Sequence, residues 1–269
     1  MFSSHPFPSF LSSLLTCLLL LSLSSCATLY KPLPDRDVEA ILARIQAQER
    51  KVFSFYTTGG LSLKDRDWES ESHVLIVGNR NPFKIKIEVT HPWGRPIVHI
   101  LIDEKNLQML SFAEKRHYLG VFTPETLSKF LPLELDAHLV WAVLRGYPHL
   151  LPYHGTTSMK ANQIRLIDQK GRVHEIIDLY PGTKLPRTVF FPAKNIGLGF
   201  SDFQQIDGIY YARQVKVKEM GGESNLMLRN KKMVFNKTIP KEVFQLVKPP
   251  SFRTYDLEEN SNESGSSLR

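Results

Sequence analysis

Residues 83–103, FKIKIEVTHPWGRPIVHILID, decide the fold of this 269-residue chain. Ile85, Ile87 and Val89 alternate with Lys84, Lys86 and Glu88. A period of two sends one set to each face of a strand. One greasy face and one wet face mark an antiparallel strand with a single covered side. HPWGRP then turns the chain and IVHILID runs back beside it.

The same signature spreads outward in both directions. Phe53, Phe55, Leu61 and Leu63 alternate upstream, followed by HVLIVGN (73–79). Downstream, residues 105–120 read as a hairpin turning near Ala113-Glu114-Lys115. After an interruption, strands resume from Ile164 to Asn236, with turns at Asp207-Gly208 and Gly221-Gly222. Val215 and Val217 alternate there with Lys216 and Lys218. Three stretches change period to 3.6. Asp35 is placed to cap a helix bearing Val38, Ile41, Leu42 and Ile45. Thr123 and Pro124 open a second, with Leu127, Phe130 and Leu131 on its buried stripe. After Pro132 a third carries Leu135, Leu139, Trp141, Val143 and Leu144 before Gly146-Tyr147-Pro148. Ten or eleven strands, one leading helix and a helical pair predict an α+β chain built as a barrel or strongly curled sheet.

Cys26 sets the context of that domain. It ends the run Leu23-Ser24-Ser25-Cys26, after a short apolar stretch from Leu14 to Leu23. A short apolar core, small residues and then cysteine resemble a bacterial lipoprotein signal, cleaved between Ser25 and Cys26 with diacylglyceryl on the sulfur and a further acyl group on the new amine. A spanning helix needs about 20 apolar residues; this run is shorter and broken by serines. The n-region MFSSHPFPSF has no Lys or Arg, a departure from the usual signal. The expected organisation is a signal over 1–25, a lipidated tether over 26–34, the sheet domain over 35–248 and a disordered polar tail over 249–269.

Composition fits this picture. The chain is 42% hydrophobic, enough for a sizeable core, and its two cysteines, Cys17 and Cys26, leave none for a disulfide. The net charge of +7 suits anionic lipid headgroups behind such a signal, and equally an ordinary basic surface. No nucleic-acid partner is expected.

The segments His91-Pro92-Trp93-Gly94 and Leu131-Pro132-Leu133-Glu134-Leu135 through Trp141, Gly146 and Pro148 carry a resemblance over most of 36–247. The chain resembles LolB, the outer-membrane lipoprotein insertase, and the wider LolA/LolB-like superfamily. The resemblance implies an unclosed antiparallel half-barrel with helices over its open apolar side. It also implies acylated lipoprotein as cargo, a LolA-like periplasmic carrier and membrane phospholipid as partners, and a lipid-anchored place on the periplasmic face of the outer membrane. A monomer is expected, with no enzyme activity and no cofactor.

Two expectations attach to named residues. Phe53, Phe55, Ile85, Ile87, Val89, Leu135, Leu139, Val215 and Val217 are candidate lining of an apolar cavity, unless they only fill a solid core. Trp93, between Pro92 and Gly94 on a tight tip, either dips into lipid, which suits its amphipathic ring, or folds back on its strands. A cargo of a different amphiphile, such as a glycolipid, or a purely structural role remain open. The histidines never sit at metal-ligand spacing, and no nucleophile, phosphate-loop or dinucleotide motif occurs. Asn236-Lys237-Thr238 matches a glycosylation sequon by chance.

Overall fold

The computed structural model describes residues 31–257 except 67, 132 and 223. The signal, Ser25, Cys26 and the end of the chain lie outside the described residues. One fourteen-stranded sheet runs through the rest, in the order β14-β6-β5-β4-β3-β2-β1-β13-β12-β11-β10-β9-β8-β7. Every neighbouring pair is antiparallel but one: β14 (Arg253–Asp256) lies parallel to β6 (Arg116–Val121). The sheet never closes, so the expected unclosed half-barrel is the fold, with more strands than the ten or eleven expected.

The opening stretch behaves as its alternation demands. β3 (Lys84–Thr90) pairs with β4 (Pro96–Asp103), placing Ile85 opposite Ile102, Ile87 opposite Ile100 and Val89 opposite Val98. On the other face Lys84 bridges Asp103 at 2.9 Å and Lys86 bridges Glu88 at 3.0 Å. Flanking them are β1 (Ser54–Asp65) and β2 (Trp68–Asn79) on one side and β5 (Asn106–Ser111) on the other. β13 (Asn225–Phe235) joins this group to the second one: β7 (Gly155–Lys160), β8 (Gln163–Ile167), β9 (Val173–Leu179), β10 (Pro186–Phe191), β11 (Ile196–Ile206) and β12 (Ile209–Glu219).

Helix α1 (Asp35–Arg50) buries Val38, Ile41, Leu42 and Ile45. Its N-cap is Pro34, and Asp35 lies inside the first turn, so the expected cap is shifted by one residue and the acid favours the helix dipole instead. Gln48 fixes α1 to the β11–β12 hairpin, donating to Gly208 O at 3.1 Å and accepting from Tyr210 N at 3.0 Å. Helix α2 (Pro124–Ser128) starts as its sequence predicts: Thr126 N–H donates to Thr123 Oγ1. Helix α3 (Ala137–Arg145) is capped by Asp136 and stops at Gly146, whose φ is +77°. A Cβ there would stand 2.7 Å from Ala212 O, so only glycine permits the close approach in which Gly146 O accepts from Ala212 N at 2.7 Å.

The chain beyond β13 does not leave the fold at residue 249. A 3-10 turn (Lys241–Phe244) lies on the outer face, where Phe244 packs with Val77 and Leu101. Phe252 meets Phe112 at 5.4 Å, and Leu257 is buried against Gly120. Two apolar anchors thus hold a stretch expected to be disordered, and β14 covers the edge of β6.

Candidate functional site

The concave face is filled unequally. Under α1 and α3, β8 (Gln163–Ile167) to β12 bring Ile164, Leu166, Ile177, Val189, Leu198, Phe200, Val215 and Val217 together, each at most 1% exposed. Under α2 and one side of α3 the interior is hollow, with a cavity of about 590 Å³.

Inward positions of successive strands build its wall: Leu61 and Leu63, Val74 and Ile76, Ile87 and Val89, Val98, Ile100 and Ile102, Met109, Leu226 and Leu228. Leu127, Phe130, Leu131, Leu135, Val140, Val143 and Leu144 roof it. At the level of Ile102 the concave face closes. Ile85 and Leu107 are 0% and 1% exposed, and Phe55 lies over Gly78 in edge contact with Trp141 at 5.0 Å. At the opposite end Ser70, Glu71, Ser72, His91, Ser111 and Glu114 give the lining a polar collar. An apolar bore with a polar rim suits an amphiphile with its tail inward.

The β3–β4 loop stands at that collar. His91 N donates to Arg95 O and Gly94 N to His91 O, both at 2.8 Å, with Gly94 at φ +88°. This closes a tight turn that holds Trp93 outward. Trp93 is 75% exposed and stacks on His91, ring centroids 4.6 Å apart. It has not folded back onto its strands.

Of the residues singled out from sequence, Ile87, Val89 and Leu135 line the cavity. Phe55, Ile85, Leu139, Val215 and Val217 belong to packed core outside it. Phe53 is a correction: it precedes β1, its parity no longer fixes its face, and it is 54% exposed. The lining from β1, β4 and β5 was missed, although Val98, Ile100 and Ile102 alternate as plainly as β3.

A second polar cluster lies beside the floor. His149 Nδ1 and Arg80 Nη2 both bond Glu49 Oε1, and His138 stacks on His149 at 4.5 Å. Burial raises the Glu49 pKa, but the His149 and Arg80 contacts outweigh it and hold the carboxyl below its ordinary value. Burial, reinforced by His149, lowers His138. These histidines had read as separate surface residues; separation in sequence hides the stack. In the filled half Glu175 is fully buried, accepts from Leu151 N at 3.0 Å and is pushed up to about 8 by desolvation. Asn236 accepts from Phe53 N and donates to Lys51 O, a structural use of the sequon amide.

No family model matches the chain, and no curated protein does. Solved structures do. A DUF1329 family protein from Desulfovibrio piger superposes with a TM-score of 0.52 at 11% identity, over 77% of this chain and 95% of that one. A putative outer membrane lipoprotein-sorting protein domain from Vibrio parahaemolyticus gives 0.51 at 12% identity, over 76% and 94%. A LolA superfamily protein from Nitrosomonas europaea gives 0.49 at 12%, over 77% and 97%. At such identity the likeness is one of fold: the chain has the half-barrel seen in lipoprotein-sorting domains. Among the described residues no helix is long and apolar enough to cross a membrane.

Proposed function

We propose that this chain is an envelope lipoprotein, anchored through acyl groups on Cys26, that receives the acyl part of lipoproteins in its cavity and releases it into the outer membrane. The cavity carries this reading: an apolar bore of about 590 Å³ with a polar rim, opening beside an outward tryptophan. Cargo would arrive from a LolA-like periplasmic carrier, and Trp93 would bring the rim to phospholipid. The steps are binding and release, with no bond made or broken. A carrier of another amphiphile, such as a glycolipid, uses the same geometry. A purely structural role leaves the hollow half unexplained.

Depletion separates these readings. Loss of an insertase leaves other lipoproteins accumulating in the periplasm or inner membrane, and Trp93→Glu reproduces the defect with the protein still folded. Normal lipoprotein sorting on depletion, with an outer-membrane lipid altered instead, would transfer the assignment to the lipid carrier.

A further inference from the structure

The volume of the cavity sets how much chain it holds. An apolar cavity of about 150 Å³ takes up one benzene, or about 25 Å³ per carbon. On that scale 590 Å³ accommodates roughly 20 to 24 carbons. That is one chain of sixteen to eighteen carbons and its first linkage atoms, and less than two such chains.

The walls do not readily give more room. β2 to β5 form an antiparallel ladder whose one register shift lies at Val89/Thr90, so widening the strand side breaks backbone hydrogen bonds. The roof is tied at three places. Lys129 Nζ donates to Leu257 O at 3.0 Å, Asp136 is ion-paired with Lys194, and Gly146 O accepts from Ala212 N. These ties span the roof from α2 to the end of α3.

We propose that the cavity is a single-chain site. It takes one long acyl chain of an amphiphile, seats the first polar atoms at the collar of Ser72, His91 and Ser111, and leaves any further chains of the same molecule outside. This rests on the reading that the cavity receives acyl chains, and it narrows the ligand to single-chain amphiphiles or one chain of a multiply acylated one.

The test uses the full chain carrying Cys26→Ser, which removes the proposed acyl anchor, and lysophosphatidylcholines of twelve to twenty-two carbons, competed against a fluorescent fatty acid. Affinity rises about fourfold per methylene, levels off near eighteen carbons, and is within fivefold for a two-chain phosphatidylcholine of equal chain length. Ile100→Phe narrows the bore and moves the plateau shorter by about two carbons; if it fails to fold, Val98→Phe higher on the same wall serves. Affinity still rising through twenty-two carbons, a two-chain lipid bound more than fivefold tighter, or a plateau unmoved in a folded variant would each overturn the single-chain site. Absence of binding at every length would overturn the acyl-cargo reading and this inference with it, an outcome distinct from binding without a plateau.

Discussion

The two halves of the sheet are built from the same alternating strands and end in opposite states. From β8 to β12 the inward side chains meet α1 and α3 and pack solid; from β1 to β5 they meet a short roof and enclose space. The difference lies in what stands opposite. α1, sixteen residues long, lays Val38, Ile41, Leu42 and Ile45 into one half, whereas the other receives only α2, the turn to Leu135 and one side of α3. A hollow half costs stability, since its lining forgoes the dispersion contacts a filled core makes, and the binding role proposed above would account for that cost.

The sharpest way to break the comparison is to truncate both halves. Phe200→Ala, in the filled half, is expected to cost about 3–5 kcal/mol. Ile87→Ala, already beside open space, should cost about 1 kcal/mol while weakening acyl binding, because little new cavity forms. Urea unfolding measures both, and equal losses would mean the hollow half is packed in solution.

Glu175 gives a second contrast, confined to the filled half. Its folded pKa of about 8 lies above that of an unfolded glutamate, so the folded state holds the extra proton. Stability from this site is fully present below the unfolded value and is lost as pH rises through about 8. Glu175→Gln should remove this dependence and stabilise the protein by roughly 2–4 kcal/mol at pH 9, with little effect at pH 4. A variant whose margin does not grow with pH would place Glu175 in contact with water.

β14 belongs to the hollow half. Leu257→Ala is predicted to cost about 2 kcal/mol and to speed amide exchange in β6 and around Lys129, leaving β8 to β12 protected. Uniform exchange across the sheet would show that the edge strand does not hold the roof.

The smallest stability effect is expected at Trp93: in a Cys26→Ser background, which removes the proposed anchor, Trp93→Glu should stay within about 0.5 kcal/mol of the parent yet abolish co-sedimentation with phospholipid vesicles.

The alternation that builds these halves is plain in the sequence, and so are the caps at Thr123 and Gly146 and the tight turn that carries Trp93. Alternation tells which residues share a face, not what lies across from them. Ile87 and Val217 therefore read identically although one lines a cavity and the other is core. The edge strands β7 and β14 escaped because GTTSMK and RTYD bury almost nothing and lack the apolar period. The anchors Phe252 and Leu257 are single apolar residues in a polar stretch, too sparse to announce a strap. Phe53 misled because its parity with Phe55 holds only inside the strand.

The central claim is that cargo occupies the hollow half. Photolabelling with a long-chain lipid bearing a terminal diazirine tests it directly. The account predicts adducts on the inner residues Ile100, Met109 and Val143, with none on Leu198, Val215 or Val217. Labelling of the filled half, or only of the outer face around Val77 and Phe244, would contradict it.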